Sequence, residues 1–246
     1  KSAMKKENAV ATLIAGVEAE RPDWLKAGNA GSEEVRATDM IIPRLDVLQA
    51  LSPQIKKSDP SYIPGAEQGM IYNTVTGELY GAEVNFVPVF FRKEWLLWKT
   101  RKAGVGFFGA YRTEAEANIA LCASQDPGSH EVVETHQHFV LVLLPHGVQQ
   151  AVMSMSKSKL KVSRSLNTLV QMSEADRFAK AYKASTVEAS SQKGEFWNLR
   201  ITAIGFVTKQ LYDKGKELYE AIKSGAADVD RTSPDSGEGH VESAEL

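Results

Sequence analysis

The stretch from Val84 to Arg112 constrains the fold of this chain more than any other. It combines eight aromatic residues with six Lys or Arg residues, a mixture that neither a core strand nor a loop requires. Read as a strand, its first part, Val84 to Lys99, has two faces, because successive side chains point to opposite sides of a sheet. One face begins with Val84 and Phe86, and the sequence therefore predicts a core strand at this end.

The other face alternates aromatic and cationic residues from Phe91 onward. In such an arrangement the rings can stack on bases while the cations reach phosphates. The same residues also suit a core strand whose Lys and Arg side chains extend to solvent at one end. Both interpretations stay open for this strand taken alone.

The distribution of charge favours a polyanionic partner. The chain has 246 residues, is 43% hydrophobic and carries a net charge of −2. Residues 151–223 contain 13 Lys or Arg against 7 Asp or Glu, a net charge of +6, whereas residues 224–246 contain one Arg against 6 acids, a net charge of −5. A basic body with an acidic tail indicates a polyanion partner and a mobile segment that competes for the same surface.

The single cysteine, Cys122, excludes an internal disulfide framework and a cysteine-based zinc cluster. No apolar run reaches the length of a membrane-spanning helix. The apolar segment 9–17 lacks a convincing cleavage region, so it does not predict a signal peptide. We therefore expect a cytoplasmic protein, in the host cytoplasm if the source is viral.

Hydrophobic periodicity and turn residues predict the remaining elements. Thr113 and Glu116 match a capping box at the start of one helix. The loop from Gly104 to Gly109 carries two Phe residues and suits either a base-stacking finger or a bent strand with buried rings. The predicted helices are 7–20, 113–123, 156–172 and 208–223, and the predicted strands are 42–51, 69–72, 78–80, 84–99, 137–144, 148–154 and 195–207.

The helix predicted over 156–172 is basic on one side. Its apolar residues share one face, while Lys161 and Arg164 lie on the opposite face. Lys157 and Lys159 in the first turn oppose the helix dipole, which favours anions there, so a bound phosphate would relieve a cost to stability. A solvated basic face with a small tolerated penalty is the alternative.

These patterns divide the chain into three parts: an N-terminal helix and linker over 1–38, a nucleic-acid-binding domain over 39–223, and a disordered acidic tail over 224–246. The fold class predicted for the body is α+β and β-rich.

Motifs for enzymatic chemistry are not found. The sequence has neither a GxxxxGK[ST] phosphate loop nor a GxGxxG dinucleotide fingerprint. His136 and His138 could face a metal from one strand, but no HExxH motif or carboxylate cluster accompanies them, so an ordinary polar edge is favoured. We expect no enzyme activity, no cofactor and no metal site.

A β-rich body with interleaved aromatic and cationic residues, a basic helix and an acidic C-terminal tail resembles the phage-type single-stranded DNA-binding proteins. The resemblance covers about Asp39 to Leu246 by order of features. It implies an OB-fold-like barrel with peripheral helices, and a tail that recruits replication or recombination proteins. The chain ends in Ala244-Glu245-Leu246 and lacks the terminal aromatic residue usual in that family.

The leading hypothesis is therefore non-sequence-specific binding of single-stranded DNA in replication or recombination. Aromatic residues would stack on bases and cations would neutralise phosphates. The predicted binding residues are Phe91, Lys93, Trp95, Lys99, Arg101, Lys102, Phe107, Phe108, Arg112, Lys157, Lys159, Lys161, Arg164, Trp197 and Arg200. The alternatives are a structural or assembly protein that uses the same aromatic surface, and a metal-dependent nuclease.

Overall fold

The computed structural model describes residues 30–34, 41–100, 106–145, 147–191 and 194–224, and the backbone of 228–229. The chain divides into two compact units, Lys1–Val35 and Arg36–Leu246, and every described helix and strand lies in the second unit. The predicted helix over 7–20, the loop residues 101–105 and the tail beyond 229 lie outside the described residues.

The second unit contains eleven described strands and three α-helices. The strands are β1 (Ile41–Ile42), β2 (Arg44–Val47), β3 (Ile71–Asn73), β4 (Leu79–Gly81), β5 (Glu83–Lys99), β6 (Phe107–Tyr111), β7 (His130–Leu144), β8 (Gly147–Ser156), β9 (Lys180–Ser191), β10 (Gly194–Phe206) and β11 (Asp228–Val229). The helices are α1 (Glu114–Ala123), α2 (Leu160–Gln171) and α3 (Lys209–Lys223). No helix of the described residues is long and apolar enough to cross a membrane.

Nine strands form one curled sheet in the order β10-β9-β5-β7-β8-β2-β3-β4, with β6 paired to the end of β5. Neighbouring strands are antiparallel except β2 and β8, and β1 pairs in parallel with β11 in a separate ribbon. The prediction of a β-rich fold with peripheral helices is confirmed. Within the described residues β10 and β4 are not paired with each other, so closure into an OB-type barrel is not confirmed.

A β-bulge at Val89 changes the faces of β5. Its partner β7 pairs Pro88 with Val140 and Phe90 with Phe139, so Val89 is the extra residue. Pro88 has no N–H to donate, and prolines inside sheets are confined to edges and bulges. Because one residue is inserted, Phe91 and the odd-numbered residues after it lie on the same face as Val84 and Phe86. Strict alternation from the sequence had placed the two sets on opposite faces.

Each face of the sheet carries its own core and its own helix. Helix α2 packs through Leu166 and Val170 on the face that holds Phe86, Val140 and Val142, which we call the α2 face. On the other side, which we call the α3 face, helix α3 packs on the strands. The residues of that second core include Val87, Phe139, Leu141, Phe178, Leu218 and Ile222. The sheet therefore forms the middle of three layers.

Most predicted elements are present with shifted ends. The capping box of Thr113 and Glu116 starts α1 as expected. Strand β7 begins at His130, seven residues before its predicted start. Strand β9 was not predicted, because Ala, Ser and Lys dominate its sequence and have low strand propensity. Its pairing with β10 and β5 fixes it as a strand.

A substitution at Gly215 tests how α3 packs on the sheet. A Cβ at this buried position would lie 2.7 Å from the Cβ of Phe178. Alanine normally stabilises a helix interior relative to glycine by about 1 kcal/mol. Here we expect Gly215→Ala to lower the free energy of unfolding in urea by about 1–3 kcal/mol, because the clash displaces a core ring.

The matched control is Gly205→Ala in β10, where an added Cβ meets nothing within 4 Å. Its effect should stay within about 0.5 kcal/mol. A Gly215→Ala variant more stable than the wild type would show that α3 packs differently.

Candidate nucleic-acid interface

The bulge places a cation and an indole side by side on the α2 face. The Lys93 ammonium group lies 4.6 Å from the ring centroid of Trp95, within cation–π range. The same ammonium group is 2.7 Å from Oε1 of Glu134 on β7. Lys93 is exposed and Trp95 is half-buried, so part of the indole is accessible to solvent.

Two exposed cations lie on α2, the helix that packs on the same face of the sheet. Lys161 and Arg164 are one helical turn apart and both are exposed. Arg164 and Lys93 both disfavour a proton on His136, which places the two cations around the same imidazole. Within the part of the chain that the structure describes, neither Lys161 nor Arg164 forms an ion pair. We call Lys93, Trp95, Lys161 and Arg164 the Trp95 strip.

Lys157 and Lys159, predicted in the first turn of the helix over 156–172, form ion pairs with carboxylates of the protein. Lys159 is 2% exposed, and its ammonium group lies 3.3 Å from Oδ1 of the buried Asp46. Lys157 lies 3.5 Å from Oε1 of Glu131 and is exposed. Carboxylates of the protein thus supply the negative charge near these lysines that the sequence alone would attribute to a bound phosphate. Lys159 is withdrawn from the surface and cannot contact DNA in this structure.

The end of β5 and the paired β6 hold four further predicted residues. Phe107 is 37% exposed and its ring lies 5.3 Å from that of the buried Trp98. Phe108 is 55% exposed and contacts His130, with ring centroids 4.1 Å apart. Arg112 is exposed, and Lys99 is half-buried. The two Phe residues begin a strand, as in the bent-strand alternative, but neither ring is buried.

The remaining predicted residues do not join the strip. Trp197 packs over Gly69 and against the core on the α2 face. Arg200 is exposed and alternates along β10 with Leu199 and Ile201, which pack on the α2 face, so it points to the opposite side. Phe91 packs on His136 and His138, with ring centroids 5.2 and 5.1 Å away. Arg101 and Lys102 lie outside the described residues.

Beside the strip, a hydrogen-bond chain connects β7 to α2. Oγ of Ser163, a fully buried residue, lies 2.7 Å from Nδ1 of His136 and 2.7 Å from Nε2 of His138. Nδ1 of His138 lies 2.7 Å from Nη2 of Arg177, and Nε2 of His136 lies 3.1 Å from Oε1 of Glu134. Ser163 occupies the buried stripe of α2 with Leu166 and Val170, so helical periodicity brings its hydroxyl to the two imidazoles.

The two ends of this chain fix the direction of every bond in it. Arg177 can only donate, so His138 accepts at Nδ1 and donates from Nε2 to Ser163. Ser163 then donates its proton to Nδ1 of His136, and His136 donates from Nε2 to the Glu134 carboxylate. Each imidazole therefore carries one proton and is neutral. Every link of the chain has one donor and one acceptor.

The pKa shifts agree with neutral imidazoles. Burial, followed by the charge of Arg177, holds the pKa of His138 well below 6.5. Burial also lowers the pKa of His136, against the opposing effect of Glu134. The hydrogen bond from Lys93 lowers the pKa of Glu134, and burial lowers the pKa of Arg177 to about 10, which leaves it charged at neutral pH.

Glu134, His136 and Ser163 have the residue types of a hydrolytic triad, but the arrangement differs from one. Ser163 is fully buried, and its hydroxyl is already donating to one imidazole and accepting from another. A substrate has no path to this oxygen in the described structure, so the chain joins α2 to the sheet. Among the described residues no group of three His, Cys, Asp or Glu could hold a metal ion.

One local signal for this network is present in the sequence. His136 and His138 stand two residues apart in an apolar strand, a spacing that on its own favours a polar edge. They are instead 5% and 0% exposed. Apart from Glu134 on β7 itself, their partners come from α2 and from the turn at Arg177, which no local pattern connects to β7.

The role of Ser163 can be tested by substitution. Ser163→Ala leaves a donor on His138 and an acceptor on His136 without partners, and each buried unsatisfied group costs about 1–3 kcal/mol. We expect a loss of that order in the free energy of unfolding. Ser165→Ala on the exposed side of α2 is the control and should change little. Equal effects of the two variants would contradict the network.

The network also predicts a dependence of stability on pH. An unfolded histidine binds a proton below about pH 6.5, whereas His138 in the folded state, facing Arg177, His136 and Ser163, resists protonation. The stabilisation is therefore complete above pH 6.5 and is lost as the pH falls toward the lowered pKa, by at most about 1.4 kcal/mol per pH unit for one proton. Urea denaturation between pH 7.5 and 5 measures this slope. A His138→Gln variant should show a shallower slope, and an unchanged slope would exclude His138 as its source.

Comparison with known proteins places the chain in a family of phage proteins. Residues 6–228 match the family described as Pam3 phage gp34-like protein. A search of curated proteins gives no significant match. The match spans nearly the whole chain, including the Trp95 strip and the histidine network, and on this evidence the chain belongs to the Pam3 phage gp34-like family.

Proposed function

We propose that this phage protein binds single-stranded DNA without sequence preference and without catalysing a reaction. The observation that carries the proposal is the Trp95 strip. It places a half-buried indole beside one cation, on the face of the sheet where α2 carries two exposed cations that have no carboxylate partner in the described residues. A stacking surface with adjacent cations is the combination that single strands require.

Stacking supplies one part of an affinity that does not depend on the base sequence of the DNA. A base placed on an aromatic side chain contributes about 1–3 kcal/mol, because every base has a π-face. Trp95 offers such a ring, and the exposed ring of Phe108 lies farther along the paired strands β5 and β6, whereas Phe107 packs on Trp98 on the opposite face. The curled sheet would thus take the role that an OB-fold barrel has in single-stranded DNA-binding proteins of the phage type.

Pairing of cations with phosphates supplies the rest of the affinity for single-stranded DNA. Lys161 and Arg164 would each neutralise one phosphate, which makes binding sensitive to salt. Glu134 opposes this effect, because its carboxylate already pairs with Lys93. We therefore assign phosphate binding mainly to α2, and stacking mainly to β5.

The phage family suits a role in replication or recombination in the host cytoplasm. The residues 224–246, with a net charge of −5, would compete with DNA for the basic surface or recruit a partner protein.

A second candidate function, assembly with another protein chain, is favoured by one observation. Strand β10 lies at the end of the strand order, and Ile204 and Phe206 near its end are 54% and 70% exposed. Exposed apolar edge strands promote pairing with other chains. Stable oligomers without affinity for nucleic acid would favour this function over DNA binding.

The proposal predicts a specific effect of the α2 cations. We expect the double variant Lys161→Ala/Arg164→Ala to bind a labelled oligonucleotide about tenfold more weakly at low salt. The slope of log K against log salt should decrease by about 1.4, since about 0.7 counterion is released per phosphate contact on single strands. Fluorescence anisotropy at several salt concentrations measures both quantities.

Arg200→Ala is the matched control, because it removes an exposed cation from the opposite side of β10. Its affinity and salt slope should equal those of the wild type. Equal losses in the two variants would place the interface elsewhere, and equal affinity of the wild type for single strands and duplex would contradict the proposed function.

A further inference from the structure

A pocket of about 580 Å³ lies between α1 and the strands β5 and β6. Its wall includes Leu97 and Lys99 from β5, Phe108 and Tyr111 from β6, and His130 at the start of β7. Its size falls in the range of small-molecule sites in proteins. Lys99 and Phe108 are both among the residues that the sequence associates with nucleic acid.

The pocket continues the Trp95 strip. Leu97 follows Trp95 by two residues, so both side chains lie on the α2 face of β5, about 7 Å apart along the strand. Tyr111 pairs with Trp95 across the β5–β6 ladder and also lines the pocket. A strand of DNA that stacks on Trp95 would therefore reach the pocket with its next nucleotides.

Aromatic side chains form one wall of the pocket, and small side chains form the opposite wall. The ring of Tyr111 lies over Gly109, where a Cβ would come within 2.7 Å of the Tyr111 hydroxyl oxygen. The opposite wall is formed by α1 through Ala120, Ala123 and Ser124. Small side chains there leave space for a planar group against the rings.

His130, one of the residues that line the pocket, carries an acceptor without a donor. Nδ1 of His130 lies 2.7 Å from the backbone oxygen of Asp126, a carbonyl that can only accept, so in the neutral ring the lone pair is on Nε2. That nitrogen is buried and has no hydrogen-bond partner among the described residues. The exposed ring of Phe108 lies edge-to-face against the His130 ring, and both side chains line the pocket.

We propose that this pocket receives one unstacked base of the bound single strand. The base packs on Phe108 and Tyr111 and donates a hydrogen bond to Nε2 of His130, while Lys99 contacts the adjoining phosphate. Each of the four DNA bases carries at least one N–H donor, so the pocket accepts them all. This inference rests on the proposed function, since it assigns one site to the same strand.

The test fills the pocket without touching the Trp95 strip. Ala123→Trp places bulk into the pocket from the end of α1, and Asn118→Trp adds the same bulk at an exposed position of α1 outside the pocket. With an oligonucleotide that carries one 2-aminopurine, we expect Ala123→Trp to bind at least about fivefold more weakly, the low end of one lost stacking interaction. It should also lose part of the fluorescence quenching, while Asn118→Trp behaves as the wild type.

A second measurement separates the pocket from the proposed function. Adenosine monophosphate should shift the His130 imidazole proton signals in NMR spectra of the wild type and of Asn118→Trp, but not those of Ala123→Trp. If Ala123→Trp binds the oligonucleotide and quenches its fluorescence as the wild type does, the pocket does not receive a base. The DNA-binding proposal is not affected by that result. If the wild type binds no oligonucleotide, the proposed function fails, and the inference fails with it whatever the mononucleotide result. A His130 shift would then show only that the pocket accepts a base.

Discussion

The pairing of β5 with β7, interrupted once at Val89, is the constraint on which the rest of the structure depends. A one-residue insertion exchanges the faces of every following side chain. Because of it, Phe86 packs in the core under α2, and Lys93 and Trp95 emerge on that same face beside the helix. Without the bulge, the cation and the indole would lie on the α3 face, away from Lys161 and Arg164.

The hydrogen-bond chain through Ser163 holds α2 in position against this strand pair. A helix with a polar residue in its buried stripe is stable only if that residue is satisfied, and here two imidazoles satisfy it. Arg177 at one end and Glu134 at the other fix the proton positions between them. Glu134 also pairs with Lys93. The position of a surface cation in the Trp95 strip is thus tied to the packing of the buried face of α2.

The sequence predicted the long strand, the capped helix α1, the two amphipathic helices α2 and α3 and the basic face of α2, because each depends on local periodicity or on a local motif. It did not predict β9, whose small and polar residues become a strand only through pairing with β5 and β10. It also missed the bulge, although Pro88 inside a strand is a signal for one. Of the predicted binding residues, the fold collects Lys93, Trp95, Lys161 and Arg164, turns Arg200 away and buries Lys159 beside Asp46.

The sequence by itself determined which segments are apolar, which are basic and where aromatic residues accompany cations, because composition and spacing are properties of the chain alone. Only the tertiary structure decided which of those cations stay exposed, since burial and ion pairing depend on residues distant in sequence, such as Asp46 for Lys159 and Glu134 for Lys93. The same holds for His136 and His138. Their spacing is a local fact, but their neutrality follows from Ser163 and Arg177, which the packing of α2 and the sheet brings to them.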